Sequence, residues 1–455
     1  MNPNGQFPAD FLWSASTSAW QFEGGALDEG KGPSVQDIRP GQGEILRTAS
    51  DHLHHLEEDV ALLKAMGLKA YRFSISWSRV LPQGRGQVNA QGLAFYTRLI
   101  KLLKENQIEP IVTLYHDDLP WALARQGGWA CRETIDAFED YCGLMFDHFA
   151  GQVLYWQPIC EQNLLTIDRL LSPSGSLAQA RVFRRFHQRG YPGWIGPALN
   201  LVKVYPLTPD PEDVEAAMNM ELIRNWLDLD LAVSGRYSAP AAALLTRLGA
   251  MPKLEPGDAE TLKSGLATMV SFSSYTSVTV KKGAAASFTD PTGMKYGFNL
   301  PGIFEIVKNP KLGTSGFDCE VDPAGTRLIL EDVAQRTELP LFIIERGLGL
   351  KETPDTRGEI RDVRRIAYLR KQIEQARLAA HGVPLIGYCT WSAFDLASTQ
   401  NGYQKRYGLI YVDREDDDPK DCRRIPKLSY AWFQKVIASS GQDLELTEEL
   451  NGKSE

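Results

Sequence analysis

The chain has 455 residues, with 49 basic and 57 acidic side chains, a net charge of −8, and 43% hydrophobic, 23% charged and 10% aromatic residues. This balance supports a sizeable core and excludes disorder along the whole chain, and it argues against a nucleic-acid groove, which needs a local excess of Lys and Arg. The length suits about three ordinary domains or one large α/β barrel.

In chain order, residues 11–16 read as a first strand. Residues 68–75 form a second apolar run, and residues 91–107 have helical spacing through Leu93, Tyr96, Leu99, Ile100 and Leu103. A strand at 110–115 is followed by a helical stretch at 135–149, and further strands are predicted at 153–159, 198–204, 267–275, 339–344 and 383–391. About eight strands alternating with helices predict a parallel sheet with helical crossovers, closed as a (β/α)8 barrel. One domain over residues 1–455 is expected, with frayed ends at 1–6 and about 443–455. No window offers about 18 consecutive apolar residues, and residues 1–10 lack a basic cluster followed by an apolar run, so no membrane span or secretion is expected. The six cysteines form no CxxC pair, which fits reduced thiols in the cytoplasm.

Catalytic groups of such barrels sit at the C-terminal ends of strands. Those ends read Arg72, His116, Glu161, Tyr275, Glu345 and Trp391. Glu161 and Glu345 each close an apolar run, where a carboxylate is costly unless paired or functional. For either alone, a rim salt bridge is as good an account. Together they match the pair that glycoside hydrolysis requires, one carboxyl to donate a proton and one carboxylate to attack or to activate water.

The residues Phe7-Pro8-Ala9-Asp10-Phe11-Leu12-Trp13, Ser18-Ala19-Trp20-Gln21-Phe22-Glu23-Gly24, Tyr71-Arg72-Phe73-Ser74-Ile75-Ser76-Trp77, Thr113-Leu114-Tyr115-His116 and Gly402-Tyr403-Gln404-Lys405-Arg406-Tyr407-Gly408 resemble, in the correct order, segments of the glycoside hydrolase family 1 β-glycosidases. The resemblance implies a retaining β-glycosidase on a (β/α)8 barrel. Its TFNEP motif is matched by Pro158-Ile159-Cys160-Glu161-Gln162, which implies the acid/base role for Glu161. Its ITENG motif is matched by Ile343-Ile344-Glu345-Arg346-Gly347, which implies the nucleophile role for Glu345. Arg72 and Tyr275 take the family's nucleophile-supporting positions, and Gln21, His116 and Trp391 its sugar-binding ones. Retention needs the two carboxyls about 5–5.5 Å apart.

Several positions depart from the family. Cys160 replaces the Asn that binds the sugar 2-hydroxyl, Gln162 replaces Pro, Asp117 replaces the Trp after His116, and Ser273-Ser274-Tyr275 replaces NYY. Plain cellobiase activity is therefore not expected. Where ordinary members carry Glu-Trp, this chain has Ser398-Thr399; Ser398, Lys405 and Tyr407 match the Ser, Lys and Tyr with which the family's 6-phospho-β-glycosidases hold the sugar phosphate. Two hydroxyls and an ammonium donate to a phosphate that a carboxylate would repel. Thr399, small where phospho-galactosidases have Trp, leans towards 6-phospho-glucosides. Lys405 also occurs in ordinary members, so a β-glycosidase for an unphosphorylated, unusual glycone stays open, as does a non-catalytic glycoside-binding barrel.

A glycoside, with or without a 6-phosphate, is the expected partner, and the mechanism requires no cofactor. The histidines at 52, 54 and 55 lack a strong metal-ligand spacing, so no metal is expected. Cys160 reads as a packing residue with no assignable His partner. The aglycone side is expected in variable loops such as 170–191, and the oligomeric state is not encoded legibly.

Overall fold

The computed structural model describes residues 6–26, 28–41, 43–164, 174–283, 298–317 and 319–446. Its strands are β1 Leu12–Ser16, β2 Ala70–Ser74, β3 Glu109–Tyr115, β4 Tyr155–Ile159, β5 Trp194–Ile195, β6 Ala198–Asn200, β7 Lys203–Pro206, β8 Val270–Ser273, β9 Ser277–Lys282, β10 Phe304–Val307, β11 Gly313–Thr314, β12 Glu320–Val321, β13 Leu341–Arg346, β14 Leu385–Trp391, β15 Ile410–Val412 and β16 Arg424–Pro426. Nine of them form one sheet in the order β5-β4-β3-β2-β1-β14-β13-β8-β6, and its neighbours pair in parallel.

The two ends of that order meet. β5 pairs with β4, β6 pairs with β8, and only Gly196 and Pro197 separate them. The Gly196 amide still donates to the Trp156 carbonyl at 3.1 Å, whereas the Pro197 carbonyl accepts from Ser271 at 3.1 Å. Proline has no N–H to continue the first ladder, and a side chain at Gly196 would run into the Met269 backbone. β5 and β6 are thus one strand position that changes neighbours midway. Eight strand positions close into a (β/α)8 barrel.

Each predicted strand is present with shifted ends, and one is corrected. Residues 198–204 are not one strand: β6 ends at Asn200, and β7 joins β9 and β10 in a separate sheet. Between them the Asn225 side chain accepts the Val202 N–H at 3.2 Å and donates to its carbonyl at 2.7 Å, so a side chain satisfies backbone that a strand would otherwise pair. The predicted helices span Ala90–Glu105 and Arg132–Phe149.

Side chains alternate across each strand. Trp13, Tyr71, Val112, Trp156, Phe272 and Ile343 lie in the large core shared with the helices, whereas Ala70, Ile111, Ala198, Phe342, Ile344 and Cys389 form a small separate cluster with Leu12 and Tyr155. That small cluster is the barrel interior. It forms the apolar floor under the residues described next.

Candidate active site

Two residues further along the same strands the interior becomes polar: Arg72 follows Ala70, Thr113 follows Ile111, Gln157 follows Tyr155, and Asn200 follows Ala198. Arg72 is fully buried. Its Nε donates to Thr113 Oγ1 and Gln157 Oε1, both at 2.9 Å, its Nη2 to Cys160 Sγ at 3.1 Å, and its Nη1 to Glu345 Oε1. Strict alternation would send Glu345 outwards, since Ile344 already faces in. A register shift between Ile343 and Glu345 in the pairing with β8 turns it back, the usual work of a bulge beside a site. Tyr275 OH donates to the second oxygen, Oε2, at 2.7 Å. Both oxygens of Glu345 are therefore held, one by a buried cation and one by a phenol.

Glu161 lies just past β4 with φ at +50°, a region unfavourable for any residue with a side chain. Its amide donates to the Ala198 carbonyl at 2.6 Å, which fixes this backbone across the barrel seam. Its Oε1 accepts from Asn200 Nδ2 at 2.7 Å and from Ser273 Oγ. Burial and the charge of Glu345 push the Glu161 carboxyl up to about 7, against the hydrogen bonds from Ser273 and Asn200 and the charge of Arg224. Ser273 is also the register partner of Glu345. One short side chain thus joins the surroundings of both carboxylates.

His116, Cys160 and Glu345 have ligand atoms within 4.8 Å of one another. Cys160 lies in the site: its thiol donates towards Glu345 Oε1 at 3.9 Å, and burial holds it well above the usual thiol range. Sequence had left it without a His neighbour. Burial and the Arg72 cation keep the His116 imidazole well below its ordinary value, hence neutral, and its Nδ1 has no partner among the described residues. The His116 ring lies 6.1 Å from that of Trp391.

Gln21 is buried, accepting from Ser18 Oγ and donating to the Ala397 carbonyl, each at 2.6 Å. Ser398 is buried and exchanges backbone hydrogen bonds with Gly402, while the Thr399 carbonyl accepts from Arg39 at 3.4 Å. The Lys405 ammonium lies 5.0 Å from the Phe317 ring centre and 5.5 Å from that of Tyr407. Tyr407 in turn meets Tyr275 edge-on at 6.4 Å. Contacts therefore run from Glu345 through Tyr275 and Tyr407 to Lys405. Asp117 is exposed, at φ +63°, with its carbonyl accepting from Gln36.

A model of glycosyl hydrolase family 1 matches residues 3–172 and 174–442. The chain belongs to glycosyl hydrolase family 1. It is 40% identical to the aryl-phospho-beta-D-glucosidase BglC of Bacillus subtilis, over 96% of this chain and 98% of that protein, and 33% identical to the 6-phospho-beta-glucosidase AscB of Escherichia coli, over 96% and 99%. Among solved structures it is similar to the family 1 β-glucosidase of Thermotoga maritima, with a TM-score of 0.85 and 31% identity over 96% of this chain and 100% of that one.

Sequence reading of this glycosyl hydrolase missed Thr113, Gln157, Asn163, Asn200 and Arg224. Period-two alternation from Ile111, Tyr155 and Ala198 marks the inward polar residues Thr113, Gln157 and Asn200, whereas no local pattern marks Arg224. Elsewhere His52 pairs with Asp59, His54 with Asp51, and His55 with Glu58 and, at 3.8 Å, with Asp51. The expected loop 170–191 is corrected: 170–173 lie outside the described residues, and Ser174–Arg189 is a helix that buries Leu177, Val182, Phe183 and Phe186. The tail expected to fray from 443 is held as far as 446, with Leu444 buried and Glu445 accepting two bonds from Arg370; 447–455 lie outside the described residues. Among the described residues no helix is long and apolar enough to cross a membrane.

Proposed function

We propose that this enzyme is a retaining 6-phospho-β-glucosidase, acting on a substrate already phosphorylated in the cytoplasm, with residues 1–455 forming one catalytic unit. The observation that carries it is the line of contacts from Glu345 through Tyr275 and Tyr407 to the Lys405 ammonium. At the end of that line stands a cation, and buried Ser398 offers a hydroxyl where ordinary members of the family carry an acid, which supports the phosphate reading. The names of the two relatives, an aryl-phospho-beta-D-glucosidase and a 6-phospho-beta-glucosidase, support the same reading.

Glu345 is the nucleophile. Arg72 and Tyr275 aim its carboxylate at the anomeric carbon and spread its charge. Glu161 begins protonated, which burial and the charge of Glu345 favour. It protonates the leaving oxygen as the glycosyl-enzyme forms, and the loss of the Glu345 charge then lets Glu161 ionise and serve as the base towards water. Neutral His116, buried Gln21 and Trp391 line the glycone side, Asp117 and Thr399 flank it, and Lys405, Ser398 and Tyr407 take the phosphate. Cys160 and Ser273 favour a second reading, an unphosphorylated glycone altered at its 2-position, because a thiol replaces an amide against Arg72 and Glu345.

Nitrophenol release from aryl β-glucosides and β-galactosides, each with and without a 6-phosphate, separates the two, with Glu345→Gln as the blank. Turnover of the phosphorylated glucoside is expected. Turnover only of unphosphorylated compounds overturns the phosphate reading.

A further inference from the structure

Arg224 is buried in the helical turn Leu222–Trp226, outside every motif that marks the active site. Its Nη1 donates to the Asn200 carbonyl, and its Nη2 to Asn200 Oδ1 at 2.6 Å. A guanidinium offers only donors, so Asn200 must turn its amide oxygen to Arg224 and its nitrogen to Glu161. Asn163 grips the same residue from its backbone side. It accepts the Asn200 N–H at 2.8 Å and donates to the carbonyls of Asn200 and Arg224 at 2.8 and 2.9 Å. The nitrogen so fixed donates to Glu161 Oε1 at 2.7 Å, and Ser273 Oγ donates to that same oxygen.

We propose that Arg224, acting through Asn200, is a positioning residue for Glu161 that keeps Oε1 a standing acceptor and leaves Oε2 to carry the catalytic proton. The inference rests on the reading of Glu161 as acid/base. In the first step the proton passes from Oε2 to the glycosidic oxygen. The C1–O bond breaks with its electron pair going to that oxygen, and a Glu345 carboxylate oxygen bonds to C1. In the second step Oε2 takes a proton from water as the water oxygen bonds to C1, and the Glu345–C1 bond returns its pair to Glu345. A carboxylate capped by a cation-polarised amide is favoured in its charged form. Arg224 therefore also restrains the upward push that burial exerts on Glu161.

The test is kcat/KM against pH on a nitrophenyl substrate for the parent, Arg224→Met, Arg224→Lys, Asn200→Ala and Glu161→Gln. The parental alkaline limb is expected near pH 7. It should move up by about 0.5–1 unit in Arg224→Met and Asn200→Ala and back towards the parent in Arg224→Lys. With a dinitrophenyl leaving group, where the second step limits, the acid limb of kcat should move in the same direction. Limbs within about 0.2 units of the parent in variants that melt like the parent overturn the proposal, because a merely structural Arg224 leaves them in place. If Arg224→Met does not fold, Asn200→Ala decides, with Ser273→Ala expected to shift the limb the same way. An alkaline limb that survives in Glu161→Gln instead overturns the acid/base reading itself.

Discussion

Replacing Lys405 with Met tests the phosphate reading with little disturbance of packing. Lys405 lies so close over Gly349 that a Cβ there would fall 2.6 Å from its Cγ and Cε, and a Met side chain follows the same path. The substitution therefore removes the ammonium from between Phe317 and Tyr407 and leaves the aliphatic stem in place. A charge-assisted hydrogen bond contributes about 1.5–3 kcal/mol. The second phosphate charge adds attraction bounded by about 4 kcal/mol at 4 Å and an effective dielectric of 20, part of it offset by desolvating the buried ammonium. A net loss of about 2–4 kcal/mol on the phosphorylated substrate corresponds to roughly 30- to 1000-fold in kcat/KM. On the matching unphosphorylated glucoside the change should stay within about 3-fold, because that substrate carries no phosphate for the ammonium to meet. The assay is kcat/KM on the two aryl glycosides in parent and variant. Equal losses on both refute the reasoning, since they would show Lys405 supporting the fold of the site and not the phosphate.

Arg72→Met should lower kcat by at least about 100-fold and destabilise the protein by about 3–5 kcal/mol, because it leaves the buried Glu345 carboxylate without its cation; a loss of activity with an unchanged urea midpoint counts against the buried pair. Glu161 has a folded value of about 7 against 4.5, so its stabilising contribution is complete below about pH 4.5 and is lost as pH rises to 7. Glu161→Gln should accordingly gain about 2–3 kcal/mol relative to the parent between pH 4.5 and pH 8 in urea unfolding, and an equal gap at both pH values sinks that account. Cys160→Asn places a two-donor amide beside Arg72 and Glu345 in nearly the same volume, and should raise kcat/KM on substrates with a free 2-hydroxyl by about 10-fold or more; a fall on those substrates shows that the thiol suits this glycone.

Strand–helix alternation announced the barrel because both faces of each strand are buried, leaving continuous apolar runs such as Leu341-Phe342-Ile343-Ile344 that are visible without coordinates. The seam was not visible, since β5 and β6 hold only two and three residues and the change of neighbours at Gly196-Pro197 interrupts the run that would mark a strand. Glu161 and Glu345 were legible as charges ending apolar stretches. The bulge that turns Glu345 inwards was not, because register belongs to the pairing with β8 and not to β13 alone. Arg224 is the clearest limit. It reaches Asn200 across 24 residues of chain and Glu161 only through that amide, so no spacing in the sequence couples it to the carboxyl it faces. The two carboxylates can be read from the strands that end in them; the contacts that hold Glu161 Oε1 are assembled by tertiary structure, and the pH profile is where the role proposed for them would surface.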